Sequence, residues 1–173
     1  MKLNQTIQTL LIFMFSSWTP ITAQQSSFKE EFLKKWKNSR EYTIKVAERM
    51  PAEKYQYKPT EDMRTFGEQI EHIGYALTFL PKKALNIKEV KYKGSLTDKE
   101  TLIAYLKGQF EIIKTAVEKI DNSDFEKTTS FWAGRMTRRK ILNVTFDHIT
   151  HTRAQAIIYL RINDIKAPQY IAW

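Results

Sequence analysis

Asp147-His148-Ile149-Thr150-His151-Thr152-Arg153-Ala154-Gln155 sits inside a helical pattern and carries two of the chain's three histidines. On an α-helix, residues three apart lie on neighbouring turns of one face, so His148 and His151 can present two ring nitrogens to one metal ion. Val144, His148, His151, Gln155 and Ile158 form one i,i+3/i+4 row, which places the imidazoles on an inward stripe with apolar residues. A buried imidazole without a partner costs about 1–3 kcal/mol, so two of them side by side favour a shared ligand or a polar network. The third histidine, His72, belongs to a different predicted helix. Two His from one helix and one from another match an open metal site, in which three protein ligands leave room for water or substrate.

Outward from that stretch, four helices are legible. Ser27/Glu30, Thr65/Glu68 and Thr97/Glu100 share one device: a hydroxyl that accepts from an early backbone N–H, and a carboxylate three residues on that reaches back. The first helix is predicted from Phe28 to Met50, with Phe32, Trp36, Ile44 and Ala47 inward, and stops before Pro51. A tyrosine-bearing loop, Tyr55 to Arg64, leads to a second helix from Phe66 to Leu80, which ends or kinks at Pro81. Its core stripe is Phe66, Ile70, Ile73 and Leu77, with His72, Tyr75 and Phe79 beside it. The third runs from Asp98 to Ile120 on Leu102, Leu106, Phe110, Ile113 and Val117. After a loop from Asp121 to Met136, Thr137 caps the fourth, Arg138 to Ile162. Four helices of this length imply an all-α bundle, whose cofactor sites form from inward-facing side chains.

Residues 1–23 read as a secretory signal: Lys2 in a polar start, the apolar run Leu10 to Phe15, and the exit Ile21-Thr22-Ala23, with cleavage after Ala23. The remaining residues 24–173 are the size of one domain, and the protein is expected to be exported. There is no cysteine, so neither a lipidated Cys nor a disulfide holds it, and the apolar run is too short for a stable membrane anchor. Net charge is +9, and losing Lys2 leaves +8. Lys and Arg are spread beside Glu and Asp along helices, so a nucleic-acid partner is not expected. The densest cluster, Arg135, Arg138, Arg139 and Lys140, lies at a helix start and is a candidate for local anion binding. Phe131-Trp132 lies in a predicted loop, where Trp132 is a candidate pocket wall.

Trp36, Met50 to Tyr55, Tyr57 to Thr60, Arg64 to Glu68, His72, the segment Asp147 to Arg161 and the tail Ile165 to Tyr170 together resemble the DinB-like superfamily. The resemblance implies an up-down-down-up four-helix bundle with a divalent metal, zinc or nickel, held by three His between helices two and four. His72 and His148 map onto ligands. The family's next histidine falls where this chain has Thr152, so His151, or water, is left to complete the set.

Relatives such as bacillithiol S-transferases and mycothiol-dependent maleylpyruvate isomerase imply a metal-dependent thiol transferase. In that reading Arg153 or Tyr75 helps to orient an electrophile. Hydrolysis by metal-bound water is the sister reading, and a non-catalytic metal- or ligand-binding bundle is the alternative. The expected partner is a small-molecule substrate or thiol, with homodimerisation left open.

Overall fold

The computed structural model describes residues 27–171, so the expected signal, residues 1–23, lies outside the described residues. Four long helices carry the fold: α1 (Phe28–Arg49), α2 (Phe66–Phe79), α4 (Lys99–Glu118) and α5 (Arg138–Ile162), with a one-turn helix α3 (Lys82–Leu85) after α2. Among the described residues no helix is long and apolar enough to cross a membrane.

The boundaries follow local chemistry. Ser27 and Thr65 form capping boxes with Glu30 and Glu68, and Thr137 accepts from the Lys140 N–H at 3.1 Å. The box expected at Thr97/Glu100 does not form. Asp98 caps α4 instead, accepting from Thr101 N at 3.1 Å, while the Thr97 hydroxyl bonds Ser95 Oγ at 2.8 Å. A carboxylate is the stronger acceptor for a first-turn N–H, and it moves the helix start one residue on. Met50, ahead of Pro51, is extended and ends α1.

Cross-helix bonds fix the topology. Trp36 Nε1 donates to Phe110 O at 3.0 Å and Lys99 Nζ to Met50 O at 2.9 Å, so α1 and α4 run antiparallel. Arg153 meets Ser39 and Thr43, and Phe32 meets Phe146, so α1 and α5 run parallel. Thr78 donates to Gln109 at 2.9 Å while Gly67 abuts Leu96, so α2 and α4 are parallel as well. The order is therefore up-down-down-up. Two parallel neighbours in sequence need a connection that travels the bundle's length, and the segment from Leu80 to Asp98 provides it.

The predicted stripes of the first three long helices are buried: Trp36 is 1 % exposed, and Phe66, Ile70, Ile73, Leu77, Leu102, Leu106, Phe110, Ile113 and Val117 are fully enclosed. The stripe of α5 differs from expectation. It is Leu142, Thr145, Phe146, Ile149, Thr152, Ala156 and Tyr159, whereas His151 and Ile158 are exposed and His148 is half-buried. The helix is apolar on two adjacent rows, and the row with the larger side chains packs inward. The histidine row runs along its edge.

The predicted loop from Asp121 to Met136 contains a 3₁₀ turn, Asn122–Glu126, and an antiparallel hairpin of β1 (Thr128–Phe131) and β2 (Gly134–Thr137), with Phe131 opposite Gly134. Gly134 has φ +108°, a conformation that glycine adopts freely.

Among the described glycines, Gly67 has the least room for a side chain. A Cβ there would lie 2.1 Å from Leu96 O and 3.1 Å from Leu96 C, backbone atoms with no side-chain freedom to retreat. Gly67→Ala is expected to cost about 1–3 kcal/mol or more by overpacking. In a chain of this length that lowers the thermal midpoint by roughly 2–12 °C, read by circular dichroism. An unchanged midpoint would contradict the close approach of the crossover to α2.

Candidate metal centre

The α2/α5 seam is antiparallel: Gln69 meets Gln155 and Tyr159, and one turn along it His72 meets His148. The two Nε2 atoms are 3.1 Å apart, with ring centroids at 5.0 Å and planes at 69°. Both rings are half-buried. Burial pushes the His72 pKa down to about 4, with Arg64 and then His148 adding to the effect. His148 is lowered chiefly by burial, then by His151 and Arg64. Both imidazoles are therefore neutral near pH 7, the form that offers a nitrogen lone pair.

At 3.1 Å two neutral rings share one hydrogen bond only if one carries its proton on Nε2 and the other does not. The same spacing suits a shared cation. Arms of about 2.0–2.1 Å at a tetrahedral angle set two ring nitrogens about 3.3 Å apart. Among the described residues, no group of three or more His, Cys, Asp or Glu is gathered for a metal.

His151 stands outside the pair. Its Nε2 lies 3.0 Å from Gln155 Nε2, whose amide donates to it, and its ring is exposed. The three sequence-predicted ligands thus separate into a converged pair, His72 and His148, and a neighbour that joins them only by releasing Gln155. Thr152, one turn beyond His148, is buried at 2 % exposure.

A polar chain links the seam to the mouth of the bundle. Gln69 Nε2 donates to Gln155 Oε1 at 3.0 Å and approaches Tyr159 Oη at 3.4 Å, and Tyr159 donates to Arg64 O at 2.9 Å. Gln69 Oε1 is buried with no hydrogen-bond partner. An orphan acceptor costs about 1–3 kcal/mol, and it lies one turn from His72 on the same helix, suited to a donor such as water or a protonated ligand group. Neither Gln69 nor Arg64 was singled out by periodicity. Gln69 is a polar residue one position before the apolar Ile70, and only its burial shows its role.

Two expected orienting residues part company. Tyr75 is one turn beyond His72 on the same face, its ring stacked on Phe79 at 5.1 Å. Arg153 does not face the pair. It turns to α1, with Nη1 3.0 Å from Ser39 Oγ and 3.1 Å from Thr43 Oγ1 and its guanidinium over Tyr42, because five residues along a helix rotate it about 140° from His148. Arg64 is the cation whose charge acts on both rings.

Two of the four cations in the basic cluster are neutralised by carboxylates. Arg138 pairs with Asp124 at 3.2 Å, Arg139 with Glu126, and Arg135 bonds Thr128 Oγ1 across the hairpin at 3.1 Å. The acidic partners come from the 3₁₀ turn that precedes the strands. Trp132, 80 % exposed, does line a pocket with Phe131 and Phe79.

Two crystal structures share this architecture. A DinB-like protein from Bacillus cereus superposes with a TM-score of 0.71 at 19% identity, over 82% of this chain and 96% of that one. A DinB-like protein from Bacillus subtilis gives 0.66 at 18% identity, over 83% and 99%. No curated protein matches the chain. The family model of the DinB superfamily matches residues 35–156, a span that contains Trp36, His72, the histidine pair of α5 and Gln155, and so the chain belongs to the DinB superfamily.

Proposed function

We propose that this protein holds a divalent metal, zinc or nickel, through His72 and His148 and uses it to transfer a thiol to a small electrophile. The carrying observation is the convergence of two neutral, half-buried Nε2 atoms to 3.1 Å on facing helices. When bound, such a metal lowers the pKa of a ligated thiol so that the reactive thiolate is present at neutral pH.

The chain's own residues support an anionic ligand. Arg64 acts on both rings, and none of the groups that shift either histidine is a carboxylate. Gln69 Oε1, buried without a partner, is left to accept from a protonated group held in the seam. The two imidazoles leave the remaining coordination positions to thiol, water or substrate. In the reaction the thiol proton passes to solvent, sulfur forms a bond to the electrophilic carbon, and the leaving group departs with its electron pair. Hydrolysis is the weaker reading, because the carboxylates that neighbour the pair in the chain, Glu71 and Asp147, each lie about 100° around their helices from the adjoining histidine. Asp147 is also exposed.

Export, carried by residues 1–23, is part of this proposal and requires a thiol available outside the cytosol. The test is turnover of cysteine with 1-chloro-2,4-dinitrobenzene by residues 24–173 loaded with zinc or nickel. Metal-dependent turnover that disappears in His72→Ala and His148→Ala is expected. Metal retained without turnover would overturn the transferase reading in favour of a metal-binding bundle, and no retained metal would overturn both.

A further inference from the structure

The α2/α5 seam continues past the histidines to a pocket of about 310 Å³ at the end of the bundle, where α2, α3, the hairpin and the start of α5 meet. Phe79 lies seven residues beyond His72 and Ile141 seven before His148, so the pocket is two helical turns, roughly 10 Å, from the histidine pair. Its volume lies within the range of small-molecule sites.

The walls are aromatic and aliphatic. Phe131 and Trp132 stand side by side at the hairpin tip, centroids 5.5 Å apart, facing Phe79 and Ile141. Trp132 is 80 % exposed, an unusual placement for so large a ring, and it lines the pocket.

The charge is one-sided. Two lysines and no acidic residue line the pocket. Lys82 is committed: it pairs with Glu89 and lies 4.4 Å over the Phe79 ring. Lys83 is exposed, and its hydrogen-bond partner is a neutral hydroxyl, Ser130 Oγ at 3.2 Å. A cation beside aromatic walls recognises a flat apolar body that ends in an anion.

We propose that this pocket binds a small aromatic carboxylate, its ring against Trp132 and Phe131 and its carboxylate on Lys83. The site is independent of the metal reading, since none of its residues touches the histidine pair. Binding therefore persists in the metal-free protein and in His72→Ala.

The test is calorimetric titration of residues 24–173, free of metal, with 2-naphthoate and with its neutral analogue 2-naphthamide. Saturable binding of one naphthoate per chain is expected, weakened about tenfold or more in each of Lys83→Gln and Trp132→Ala, and about as much weaker for the amide. Both substitutions are at exposed positions, and an unchanged circular dichroism melt shows that the fold survives them. Absence of saturable binding, equal affinity for acid and amide, or full affinity in both variants would overturn the proposal.

Discussion

Zinc or nickel at a hundredfold excess over its dissociation constant is expected to raise the thermal midpoint of residues 24–173 by roughly 5–10 °C. Ligand bound only to the folded chain stabilises it by about 2.7 kcal/mol at that ratio, and each kcal/mol moves a domain of this size by about 2–4 °C. The shift should vanish in His72→Ala and in His148→Ala, since a single imidazole closes no chelate. His151→Ala should keep most of it, because that ring is exposed and held by Gln155 outside the converged pair. Thr152→His places a third imidazole one turn beyond His148 and should bind the metal more tightly than the native chain. A shift lost only in His151→Ala would show that the native ligand set differs from the converged pair.

Trp36→Ala should be the most damaging single substitution in the core. The indole is 1 % exposed, stacks on Phe32 at 5.3 Å, packs edge-on against Phe146 at 5.2 Å and tilts against Phe110 at 5.1 Å. Its N–H bonds Phe110 O, so one side chain ties α1 to α4 and α5. Truncation leaves a cavity that three large rings cannot fill without leaving their rotamers, at about 3–5 kcal/mol. With a urea dependence of about 1–3 kcal/mol per molar, the unfolding midpoint should fall by roughly 2 M. A loss below about 1 kcal/mol would mean that the aromatic cluster repacks freely, against the close packing expected of such a core.

The bundle was legible in the sequence where local chemistry acts alone. Ser27/Glu30 and Thr65/Glu68 mark helix starts because their partners are three residues away; Pro51 marks an end because it keeps Met50 out of the helical region, and Pro81 because it has no N–H to continue the ladder, while Leu80 stays helical. Thr97/Glu100 misled because Asp98, one residue on, competes for the same amides, and the pattern alone does not rank them.

The inward face of α5 was ambiguous for a different reason. Apolar side chains lie on two adjacent rows, and the choice between them is made by what α1 and α2 offer, which spacing does not encode. The hairpin escaped because Thr128 to Phe131 is too short to show an alternating pattern.

For the site, helical spacing grouped His148 with His151, whereas the structure groups His148 with His72. The close pairing crosses between helices: the residues alone offered His72 as a third ligand from another helix, and the family resemblance placed it opposite His148. Gln69 and Lys83 had no sequence signal: the first is marked by an orphaned buried oxygen, the second by the neutral company it keeps.

The central claim, that His72 and His148 together hold a metal, is tested most directly by X-ray absorption at the zinc edge of zinc-loaded, desalted residues 24–173. The expected spectrum shows two imidazole nitrogens at about 2.0–2.1 Å with lighter oxygen ligands completing the shell, and His72→Ala/His148→Ala retains no zinc. Zinc absent after desalting, or held by that double variant with its imidazole scattering intact, would contradict it.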